Sequence, residues 1–68
     1  MLKLLDVVRL KEDNVKYGVK ASYRGTIVDV LNCGEAFTIE FFDENGETVE
    51  AALFTEFTPD EIELIISA

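Results

Sequence analysis

Apolar and polar positions change places every second residue in the middle of this chain. Phe37, Ile39 and Phe41 alternate with Thr38 and Glu40, the period of a strand with one dry face and one wet face. The spacing predicts a strand over Ala36 to Phe42 with its aromatic face inward. Arg24 to Leu31 is rich in β-branched residues and reads as the strand before it, with Thr26, Val28 and Val30 building it. Leu4 to Leu10 reads as the first strand. Residues 11–23, "KEDNVKYGVKASY", are polar with one glycine and form a long loop or loose hairpin. "NCGE" (Asn32 to Glu35) is a turn in which Gly34 is free to take positive φ. "DENG" (Asp43 to Gly46) closes a hairpin, with Asn45-Gly46 where left-handed geometry is needed, as in a type I turn with a glycine bulge. Thr48 to Leu53 then returns as a fourth strand, with Val49, Ala51 and Leu53 inward. "TPDE" (Thr58 to Glu61) is a capping box, with Thr58 as N-cap, Pro59 at the first helical position and Glu61 reaching back. Two endings fit the remainder. The favoured one is a single 3₁₀ turn feeding a last strand, Ile62 to Ile66, because isoleucine prefers strands. The other is a short helix with Ile62, Ile65 and Ile66 on its apolar stripe.

Five short strands, a long early loop and a 3₁₀ turn before the last strand predict one all-β domain over residues 1–68, looking like a small SH3-like barrel. No internal repeat or low-complexity segment interrupts it. A chain of 68 residues buries only about 60% of its unfolded surface, and domains of this size gain margin from disulfides, metals or partners. One cysteine and no histidine exclude an internal disulfide and a Cys/His zinc site. No cofactor is expected, and a partner is the remaining source of margin.

Charge narrows the classes further. The net charge is −8, unevenly placed: residues 1–24 hold all six basic side chains and three acids, a net of +3, while residues 25–68 hold eleven acids and no Lys or Arg, a net of −11. Acidity opposes binding to a polyanion, so nucleic acid is not an expected partner. The apolar opening Met1 to Leu5 is interrupted by Asp6 and Arg9, too soon for a signal peptide or a membrane span. The expectation is a soluble, cytoplasmic protein with no membrane partner, a setting that suits an unpaired thiol.

Several residue groups carry candidate chemistry. "YRGTIV" (Tyr23 to Val28) resembles the core of the KOW motif, which implies a nucleic-acid or ribosomal surface with Lys20 and Arg24 as phosphate contacts. The simpler account is that Gly25 permits a sharp bend. Only Tyr17 and Tyr23 lie near the lysines, where a single-strand binder interleaves exposed aromatics with basic residues. Asp43, Glu44 and Glu47 surround a turn without completing a calcium-loop pattern. Asp60 and Glu61 stand where the start of a helix favours negative charge. Cys33 has no histidine to activate it. These patterns predict no enzyme activity and no catalytic or metal-binding residues. The apolar surplus points elsewhere. With the core assigned, Leu2, Leu4, Ile27, Leu31, Phe42, Phe54 and Phe57 remain, more than a small monomer usually exposes. Phe42, Phe54, Phe57, Ile27 and Leu31 are the candidate interface, with a second copy as the expected partner and a different protein as the alternative.

"LLDVV" (Leu4 to Val8), Gly18, "GTIV" (Gly25 to Val28), "GEAFTIEF" (Gly34 to Phe41) and "DENG" together resemble a family of short bacterial proteins catalogued only as a domain of unknown function. The resemblance implies an SH3-like barrel of about this length and transfers no activity or catalytic residue. The same barrel is similar to one in the β subunit of nitrile hydratases, where it is a structural part. The expected function is a non-catalytic interaction or structural module that self-associates, with a KOW-like nucleic-acid-binding barrel as the alternative.

Overall fold

A computed structural model describes residues 1–68. The chain is all-β: one antiparallel sheet of five strands, β1 (Val7–Leu10), β2 (Arg24–Leu31), β3 (Ala36–Phe42), β4 (Glu56–Phe57) and β5 (Ile62–Ile66), in the order β4-β3-β2-β1-β5. Three one-turn 3₁₀ segments, Asn32–Gly34, Glu50–Ala52 and Pro59–Glu61, join them. The sheet covers a single hydrophobic core to which β1, β2, β3, β4 and β5 all contribute, giving a small barrel-like fold. No helix is long and apolar enough to cross a membrane.

The alternation on β3 sets the core as expected: Phe37, Ile39 and Phe41 are fully buried. Val8, Leu10, Val19, Ile27, Ala52, Phe57 and Ile62 complete the cluster. The hairpin turn also forms as read. The Asp43 carboxylate accepts from the Asn45 and Glu47 backbone N–H groups, and Gly46 takes φ +79°. The capping box closes on Glu61, whose carboxylate accepts from the Thr58 N–H at 2.8 Å. It feeds a strand, not a helix.

Three expectations need correction. β1 starts at Val7 instead of Leu4, because Leu5 turns left-handed at φ 71° and Asp6 N–H bonds back to the Lys3 carbonyl. On β2, Ile27, expected among the surplus apolar residues outside the core, is buried in it. A register shift against β3 between Ile27 and Asp29 leaves Val28 exposed. The strand expected over Thr48 to Leu53 is absent. Thr48 makes an isolated bridge to Phe42, then Ala52 N–H bonds to Val49 O and Leu53 N–H to Glu50 O. That winding turns Ala52 inward and leaves Ala51 exposed. The fourth strand comes later and is two residues long.

Candidate functional site

Eight large apolar side chains stand exposed: Met1, Leu4, Leu5, Val15, Val28, Phe54, Leu64 and Ile66. Backbone bonds place half of them at one side of the sheet. Leu5 N–H donates to the Ile27 carbonyl and Ile27 N–H to the Asp6 carbonyl, so the N-terminal turn continues the line of β1. Val7 pairs with Ile66 and Val8 with Leu64. The tail after β5 returns to the same turn: Ala68 N–H donates to Asp6 Oδ1 at 2.8 Å and Lys3 Nζ to Ser67 Oγ at 2.6 Å. Leu64 and Ile66 therefore lie on β5, and Leu4 and Leu5 in the N-terminal turn to which the tail returns. Phe54 projects from the connection before β4, at the other end of the sheet order, and Val15 from the β1–β2 connection.

The five candidate interface residues are not brought together. Ile27 and Phe57 are core residues, 0% and 1% exposed, so neither is available on the surface of the folded chain. Phe57 meets Phe41 edge-to-face with centroids 5.3 Å apart, a favourable aromatic geometry. Phe42 and Leu31 are half-buried at opposite ends of the β2–β3 ladder, opposite Arg24 and Ala36. Phe54 is 95% exposed. Leu64 and Val28 were missed in the sequence. The signal for Leu64 is its place on an edge strand, which only the strand order reveals.

The polar side chains mostly serve the fold. Asp6 is buried and accepts from the Lys3 N–H, the Lys3 ammonium and the Ala68 N–H. The Ala68 bond first, and then the Lys3 ammonium, hold its carboxyl down to about 2, against the opposing effect of burial. Asp13 binds the Ala21 N–H, Glu40 the Thr48 hydroxyl and Glu63 the Arg9 guanidinium. The Glu44 carboxylate, accepting from the Tyr23 hydroxyl, raises the Tyr23 phenol, whereas Thr55 and Lys16 lower the Tyr17 phenol. Lys16 Nζ lies 5.3 Å from the Tyr17 ring centroid. An open groove between the long loop and the last 3₁₀ turn is lined by Lys11, Asn14, Lys16, Asp60 and Glu61 among others. It mixes both signs of charge around two apolar residues, Leu10 and Val15. No group of three or more Asp, Glu, Cys or His is placed to hold a metal ion.

Gly25 shows why "RGT" has a glycine. A Cβ there would stand 2.5 Å from Ile39 Cγ2 and 2.7 Å from the Phe41 ring, so the core packs directly on the β2 backbone. The glycine of the KOW-like stretch is a packing residue.

The model of the family described as Domain of unknown function (DUF4926) matches residues 4–63. The chain belongs to this family. The match runs from the N-terminal turn through β4 and into the start of β5, so the DUF4926 region contains every core residue described above. Leu64 and Ile66 lie just beyond the matched residues. No curated protein and no solved structure matches the chain.

Proposed function

We propose that this DUF4926 protein is a non-catalytic interaction module on an SH3-like barrel, that it acts in the cytoplasm, and that its partner is a second copy of itself. The observation that carries the reading is the set of eight exposed large apolar side chains on a chain of 68 residues. Scattered apolar residues are ordinary on a protein surface, but a group at one side of a small sheet is a contact surface. A large side chain removed from water contributes about 1.5–3 kcal/mol. Repulsion between copies of charge −8 is spread over screened surface charges, each pair worth about 1 kcal/mol or less. Burial therefore outweighs repulsion, and salt strengthens association by weakening the opposing term. The engaged carboxylates support the non-catalytic part: Asp6, Asp13, Glu40, Asp43, Glu61 and Glu63 each accept a hydrogen bond that holds a turn or a strand in place. Light scattering from low to high micromolar concentration, at low and high salt, tests the reading. A closed oligomer favoured by salt is expected. A wild-type monomer throughout ends it.

A further inference from the structure

β5 pairs with β1 on one side and with no strand on the other. The core is unfinished along that free edge. Val8 and Ile62 are 0% and 3% exposed, yet Leu64, which lies opposite Val8 and shares its face, is 46% exposed. The backbone is open there as well. Lys11 N–H donates to the Glu61 carbonyl, which sets the alternation: Glu61 and Glu63 turn their main-chain groups toward β1, and Ile62 and Leu64 turn theirs to the free edge. The register shift along the β1–β5 ladder falls between Leu64 and Ile66, so the ladder is regular from Ile62 to Leu64. It carries neither the proline nor the lysine that commonly blocks an edge strand. The strand's one charge, Glu63, is already paired with Arg9 at 3.2 Å. The tail bends to Asp6 on the β1 side and leaves the edge uncovered.

We infer that β5 of a second copy adds antiparallel to this edge, with a two-fold axis through Leu64, an inference that rests on the self-association proposed above. A two-fold contact must be self-complementary, and this register is. Leu64 faces its own counterpart, and the Glu63 side chains of the two copies fall on opposite sides of the axis. No like charges are opposed, which a register setting Glu63 against itself would do. The Leu64 N–H and C=O groups of the two copies satisfy one another, and each leucine covers the gap left in the other core. The two sheets become one of ten strands.

Disulfide trapping tests the axis directly. Leu64→Cys is placed in a Cys33→Ser background and exposed to oxidised glutathione. Hydrogen-bonded antiparallel residues lie about 5.5 Å apart between Cα atoms, within the roughly 4.4–6.8 Å range of disulfides. A covalent dimer with native circular dichroism is expected, and Phe54→Cys in the same background should stay largely monomeric under non-reducing electrophoresis. Leu64→Lys should raise the dimer dissociation constant about tenfold or more, from lost burial and added like charge. Phe54→Ser should leave it unchanged. If Leu64→Lys fails to fold, the trapping result decides. A wild-type oligomer that neither traps at Leu64 nor weakens with Leu64→Lys overturns the edge pairing and leaves self-association standing. A monomeric wild type removes both.

Discussion

Asp6 is 0% exposed, which is rare for a carboxylate and tolerable because three donors meet its two oxygens. The Lys3 N–H and ammonium, both at 2.9 Å, and the Ala68 N–H at 2.8 Å bind its two oxygens. Together they stabilise the charged form more than burial opposes it, and the carboxyl falls from 3.8 to about 2. A carboxyl that titrates lower in the folded chain than in the unfolded chain adds stability above its unfolded value. That stability is lost as pH falls through the folded value. The part owed to Asp6 is therefore complete above about pH 4 and is lost between pH 3.8 and about 2. Asp60, held low by the Thr58 hydroxyl, adds a loss of the same sign. Asp6→Asn should melt lower than wild type at neutral pH and lose less between pH 4 and 2. Thermal melts across that range check it, and an acid loss as steep in Asp6→Asn as in wild type would count against the assignment. None of this was legible in the sequence. Asp6 sits inside an apolar run, and its strongest partner lies 62 residues away.

Elements were legible where side-chain period and backbone agreed. β2, β3 and β5 occupy the spans expected from β-branched runs and from alternation on β3. β4 was not legible, for a specific reason. Val49, Ala51 and Leu53 do alternate, but after Val49 the N–H groups of Ala52, Leu53 and Thr55 close i→i+3 turns, and nothing local reports that choice. Phe57 then enters the core from a two-residue strand and meets Phe41. The sequence reading placed Phe57 with the surface aromatics for want of a strand to point it inward. The candidate site failed for the same kind of reason: whether an apolar strand residue is covered depends on which strand lies beside it. Ile62 and Leu64 look equivalent in sequence, yet only Leu64 is left open. The distinction between the two phenylalanines is measurable. Phe57→Ala should cost roughly 3–5 kcal/mol in urea unfolding, enough to unfold much of a domain whose total is on the order of 5 kcal/mol. Phe54→Ala should stay within about 0.5 kcal/mol of wild type. Equal effects would mean that β4 is not seated in the core.

The whole molecule carries a basic minority beside an acidic majority, and the fold decides what remains available to a polyanion. Of the six basic side chains, Lys3 is spent on Asp6 and Arg9 on Glu63. Lys16 leans on the Tyr17 ring, and Lys11 and Lys16 share their groove with Asp60 and Glu61. Lys20 and Arg24, the pair implied by the KOW-like stretch, are exposed, but Arg24 shares its cleft with Asp43 and Glu44. Phosphate binding draws on several cations acting together. This surface sets Lys11, Lys16 and Arg24 beside carboxylates, under a net charge of −8 that repels at long range. Stacking does not compensate, because Tyr17 and Tyr23 are both packed against the core and a base needs an open ring face. Binding of single-stranded DNA or RNA should therefore be no tighter than about 100 μM at physiological salt, the weak end of non-specific association. Fluorescence anisotropy with labelled oligonucleotides measures it. A micromolar complex that weakens steeply with added salt would show that Lys20 and Arg24 act together despite the carboxylates beside Arg24, and would return the barrel to the nucleic-acid binders.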